Sequence, residues 1–121
     1  MPVWKVPAVD AQSLLTLRDW TVLELSPGTR HVVGHCVENR EGRVSTAVVD
    51  FDLSAMRATT ESGRVYVLQG EPGFSDDGYY VWRRFSRLNN VPEFVDVTAS
   101  VWAAHLGARQ PERQHRPPSH D

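Results

Sequence analysis

Hydrophobic and polar positions along the chain follow two periods, and the changes between them mark the expected elements. Residues 11–17 read as a short helix in which Asp10 is the cap and Leu14, Leu15 and Leu17 form the apolar face. Ahead of it, Trp4 anchors an arm that Pro2 and Pro7 keep out of helical conformation. From Trp20 the period becomes two. Residues 21–25 predict a strand ending at the turn Ser26-Pro27-Gly28-Thr29, and residues 31–37 predict a second. The polar cluster Glu38-Asn39-Arg40-Glu41-Gly42 turns the chain into a long third strand over 43–52, which makes a first hairpin. Residues 57–60 and 64–69 flank Ser62-Gly63, where glycine supplies the positive φ of a tight turn, and make a second hairpin. The string Gly-Arg-Val occurs in both, at 42–44 and 63–65, and reads as shared turn chemistry.

Beyond the loop Gly70-Glu71-Pro72-Gly73-Phe74-Ser75 the period returns to that of a helix. Asp76 and Asp77 stand where a cap and first-turn acids stabilise a helix over 79–88, ended by Asn89 and Asn90. Val81, Trp82, Phe85 and Leu88 are assigned to its apolar face, Arg83, Arg84 and Arg87 to another. Residues 91–97, with Pro92, read as an edge strand or extended link. Thr98 then caps a last helix through Val101, Trp102, Ala103 and Leu106, which Gly107 stops. The segment 108–121 has three prolines and no large apolar residue, so it is expected to be a disordered tail behind a single globular domain over 1–107. The fold predicted from these elements is α+β. Its antiparallel sheet has four to five strands, built from two hairpins, with two to three short helices packed on it.

Composition adds limits rather than a function. With 40% hydrophobic and 23% charged residues the chain can bury a modest core. A net charge of −2 gives no global field toward nucleic acid or an anionic membrane, so any charge-driven function is local. Cys36 is the only cysteine, which excludes an intramolecular disulfide and makes a reducing cytoplasm the expected compartment. No signal peptide is expected from the N-terminal residues, and no apolar run approaches the roughly 18 residues of a membrane span.

Few residues sit in patterns that carry chemistry. His31 and His35 share a strand face roughly 13 Å apart and cannot share an ion, and Cys36 points the other way. They read as half-exposed strand histidines and a small core residue. Asp50 and Asp52 at i, i+2 lie on one strand face roughly 7 Å apart, which suits either a shared hard cation or a cap for the next turn. No phosphate loop, zinc motif or Gly-x-Ser-x-Gly pattern occurs, and no cofactor is implied. Tyr79, Tyr80, Trp82, Arg83, Arg84 and Arg87 form the densest group of interface-type residues. The plainer alternative makes Trp82 core, the tyrosines boundary residues, and the arginines a solvated face paired with Asp76, Asp77 or Glu71.

The stretch 60–82, Thr-Glu-Ser-Gly-Arg-Val-Tyr-Val-Leu-Gln-Gly-Glu-Pro-Gly and then Asp-Gly-Tyr-Tyr-Val-Trp, resembles short uncharacterised bacterial proteins, some of them carried on mobile elements. The resemblance brings no activity. It implies a bacterial host and a role in regulating or inhibiting another macromolecule. The expected function is therefore that of a non-enzymatic cytoplasmic protein that binds another protein through Tyr79, Tyr80, Arg83, Arg84 and Arg87. Two alternatives stand beside it: a nucleic-acid-binding module that adds Arg57 and Arg64 to the three arginines, and a metal-dependent enzyme centred on Asp50 and Asp52.

Overall fold

The computed structural model describes residues 13–25, 28–91 and 93–108. Among them the chain forms strands β1 (Leu14–Leu25), β2 (Arg30–Cys36), β3 (Glu41–Val44), β4 (Val48–Asp52), β5 (Arg57–Thr60) and β6 (Val65–Leu68), then helix α1 (Asp76–Leu88), strand β7 (Phe94–Asp96) and helix α2 (Thr98–Ala108). The N-terminal arm with Trp4, the cap Asp10 and residues 109–121 of the expected tail lie outside the described residues. Ala108 is the last residue of α2.

The expected helix over 11–17 is a correction: from Leu14 onward this segment is strand. Leu15 and Leu17 are buried, and so are Trp20 and Val22, so the inward positions change parity within one strand. The cause is a bulge. The ladder to β2 slips between Arg18 and Thr21, where Asp19 adopts φ 49°. One inserted residue spaces the inward side chains two, three and two apart, and with Leu14 beside Leu15 that spacing imitates a helical face.

The long strand expected over 43–52 is likewise two strands, β3 and β4, separated at Ser45, Thr46 and Ala47. In the sheet order β3-β2-β1-β6-β5-β4 they occupy opposite ends. Only three residues join them, so the sheet curls until its two edges meet at this corner. Ser45 holds the bend by donating its N–H to Val32 O (2.9 Å) and accepting the Val32 N–H on Oγ (3.0 Å). On the other side Glu61 N–H donates to Ala47 O (2.8 Å).

Taken with β3 and β4 as one bent strand, five segments follow one another in antiparallel turns. The four reversals between them leave the last segment running with the first, and β6 pairs with β1 in parallel, from Leu14 opposite Val65 to Leu17 opposite Leu68. The fold is α+β as expected, but its sheet is mixed and has seven strands, in place of the antiparallel four to five. Both predicted hairpins are present, β2 with β3 and β5 with β6, and Gly63 takes φ 93° in the second turn. Residues 91–97 supply β7, which pairs antiparallel with the last residues of β1.

Two apolar clusters result, one inside the curled sheet and one outside it. Leu15, Leu17, Trp20, Val22, Val32, Cys36, Met56, Ala58, Tyr66 and Leu68 pack within, and Val101 and Trp102 of α2 close one side. Trp102 meets Trp20 edge-on at 6.1 Å, and Thr98 Oγ1 accepts the Val22 N–H at 2.9 Å. Outside, Leu23, Val33 and Trp82 form the second cluster with Leu25, Val44 and Phe85 around it. That cluster seats α1 on β2 and β3. No helix among the described residues is long and apolar enough to cross a membrane.

Candidate functional site

The cap of α1 lies one residue before the expected one. Ser75 is the N-cap, its Oγ accepting the Gly78 N–H at 2.9 Å, while Asp76 and Asp77 fill the first turn. The helix is seated by one tryptophan. Trp82 is 1% exposed, stacked on Phe85 at 5.4 Å, edge-on to Phe94 at 5.1 Å and tilted against His31 at 6.5 Å. At about 100° per residue, positions 78, 82 and 85 share the inner face. Leu88 does not join them. It is 76% exposed, a correction to the expected apolar face.

The outer face then carries two adjoining stripes, Tyr79-Arg83-Arg87 and Tyr80-Arg84-Leu88, each in steps of four residues. All six side chains are exposed. Their surroundings bear directly on the plainer reading. Asp77 lies beside His35, its carboxylate 3.6 Å from Nδ1, and among the described residues neither Asp76 nor Glu71 pairs with an arginine. Among the described residues Arg83, Arg84 and Arg87 have no acidic partner.

The residues of the two alternatives are not assembled in the same way. Arg57 is exposed on β5, but Arg64, just before β6, is buried. Neither belongs to the strands that α1 covers. Arg43, the other arginine of the Gly-Arg-Val string, is also buried and donates from Nε to the Tyr66 hydroxyl at 3.1 Å. Asp50 and Asp52 do lie exposed on one face of β4. Asp52, however, caps the following turn, accepting from the Ala55 N–H (3.1 Å) and the Ser54 hydroxyl (3.2 Å) on the same oxygen. These bonds, the Ala55 N–H first, hold its carboxyl below the usual range. Among the described residues no group of three or more His, Cys, Asp or Glu is placed to hold a metal ion.

His31 and His35 face outward and Cys36 inward, as the strand period requires. His31 is more enclosed than expected. It is 6% exposed, with Nδ1 2.9 Å from Ser45 O and Nε2 3.2 Å from Thr29 Oγ1. Burial pushes the Cys36 thiol up, which opposes thiolate formation and fits a core role.

Sequence reasoning missed a cleft of about 140 Å³ between β7 and the start of α1. Asp19, Thr21 and Leu23 of β1 line it with Val33 of β2, and Phe74, Tyr79, Phe94 and Asp96 stand around them. Four separate segments contribute, so no local pattern announces it. Comparisons with protein-family models, with curated proteins and with solved structures found no match to the chain.

Proposed function

We propose that this chain is a non-enzymatic bacterial protein of the cytoplasm that regulates or inhibits another protein by binding it. The contact surface is the outer face of α1, and the partner presents an acidic surface to it. The observation that carries this reading is the set of three exposed arginines without acidic partners among the described residues, flanked by Tyr79 and Tyr80. Arginine combines a planar fork of donors with an apolar stem, and with tyrosine it dominates interface hot spots. With no acidic partner among the described residues, these guanidinium groups are available to carboxylates of a partner. The helix beneath is held by the buried Trp82 and presents them on a rigid support.

The test is the variant R83A/R84A/R87A. Its stability should stay close to the parent, because exposed charges contribute below about 1 kcal/mol each. Binding should weaken at least about tenfold, since truncating one central interface arginine commonly costs about 2 kcal/mol or more. The readout is capture from a nuclease-treated lysate of the producing bacterium, followed by affinities for the protein retained. D50N/D52N should bind normally. Loss of binding in D50N/D52N with none in the arginine variant would overturn the reading. A partner released by nuclease would transfer it to nucleic acid.

A further inference from the structure

The geometry points to a second ligand site, which adjoins the helix face and shares Tyr79 with it: the cleft between β7 and the start of α1 takes an alkylated ammonium ion. The topology creates the space. α1 covers β2 and β3, and β7 lies along the last three residues of β1. Between them a strip of the outer face of β1, from Asp19 through Thr21 to Leu23, is left as the floor of an open cleft.

Three aromatic rings border this floor. Phe74 and Tyr79 stand 5.6 Å apart and tilted by 45°, and Phe94 is held by its edge-on contact with Trp82. Phe74 is 63% exposed and Tyr79 and Phe94 are each 42% exposed, so the rings offer their surfaces to the cleft and to solvent. Apolar surface grouped in a concavity marks a ligand groove rather than a scattered exposed side chain.

The charge of the lining selects the ligand. Among the described residues that line it, the only ionisable groups besides Tyr79 are acids, Asp19 and Asp96, with no lysine, arginine or histidine. Asp19 makes no hydrogen bond or ion pair among the described residues, and its carboxylate is held beside the close-packed Gly73. Asp96 accepts the Thr98 N–H on Oδ1, at 2.9 Å. An anion is repelled here, and a bare divalent cation would want six or more oxygens where the walls are rings. A neutral apolar ligand would take water from the carboxylates without replacing its interactions. An ammonium bearing methyl groups satisfies both features. Its diffuse charge is attracted to ring faces and to the carboxylates, and its methyl groups fill apolar space. The volume suits such a head group and falls below the roughly 300–1,000 Å³ of pockets for larger ligands.

The experiment is an amide NMR titration of the protein with choline, with 3,3-dimethylbutanol as the neutral isostere, and with a short peptide carrying trimethyl-lysine. Choline should shift the amides of Asp19, Thr21, Leu23, Phe94 and Tyr79, and the neutral isostere should bind at least about tenfold more weakly. Tighter binding of the peptide at the same amides assigns the ammonium to a protein side chain, whereas tighter binding of choline assigns it to a free small molecule. Asp19→Asn should weaken choline binding severalfold, and asparagine accepts the positive φ at that position. Asp19→Asn with Asp96→Asn should weaken it about tenfold or more, and Phe74→Leu, which keeps apolar bulk and removes the ring, severalfold. Asp50→Asn should leave it unchanged. Equal binding of choline and its neutral isostere, undiminished binding by both aspartate variants, or the absence of any shift at these amides would overturn the assignment.

Discussion

Trp82→Ala should destabilise the fold by about 3–5 kcal/mol, the range for removing a fully buried tryptophan. The side chain is 1% exposed and touches three other rings, on β2, on α1 itself and on β7. Its removal leaves a cavity bounded by the outer face of the sheet, and that face cannot collapse inward because the interior cluster already fills the other side. Chemical denaturation of the variant checks this, with Leu88→Ala as its companion. Leu88 is 76% exposed, so its truncation should change stability by no more than about 0.5 kcal/mol. Equal losses in the two variants would show that α1 is rotated from the orientation described here.

Gly42→Ala should detach the start of α1 from the sheet. A Cβ on Gly42 would collide with the carbonyl oxygen of Asp77 and fall 2.7 Å from the backbone nitrogen of Gly78, and backbone atoms cannot rotate away as a side-chain tip does. The helix must move or the strand must bend, at about 1–3 kcal/mol or more. The sheet is closed by β1, β6 and the corner at Ser45 without help from α1, so its hydrogen bonds should persist. Hydrogen exchange distinguishes the two regions. Amides of α1 should exchange much faster in the variant while those of β1, β5 and β6 keep their protection. Unchanged exchange in α1 would contradict the close seating of the helix on β3.

The residues that made the fold legible are those whose signal is local. Ser62-Gly63 announced its hairpin because a tight turn needs positive φ, and the polar run 38–42 announced the other. The face of α1 that carries Tyr79, Tyr80 and the three arginines followed from helical periodicity. Choosing Asp76 as its cap failed because Ser, Asp and Asp in succession all suit the position, and only geometry shows Ser75 Oγ reaching the Gly78 N–H. The bulge at Asp19 was hidden because one inserted residue turns alternation into a helix-like spacing. The bend at Ser45, Thr46 and Ala47 was hidden as well. Those residues continue an alternating pattern, and what breaks the strand is pairing with partners distant in sequence. The parallel closure and the aromatic cleft depend on that same long-range arrangement, so neither has a local signature.

The proposed protein partner sits on the outer face of α1. The most direct test places a photo-reactive phenylalanine analogue at position 80 and, in a second variant, at position 50, each irradiated in the cells that produce the protein. Tyr80 is 62% exposed beside Arg83 and Arg84, while Asp50 is exposed on β4, a strand outside the seat of α1. A discrete protein adduct should form from position 80 and disappear when R83A/R84A/R87A is added, and none should form from position 50. An adduct from position 50 alone, or one from position 80 that survives loss of the three arginines, would contradict that placement.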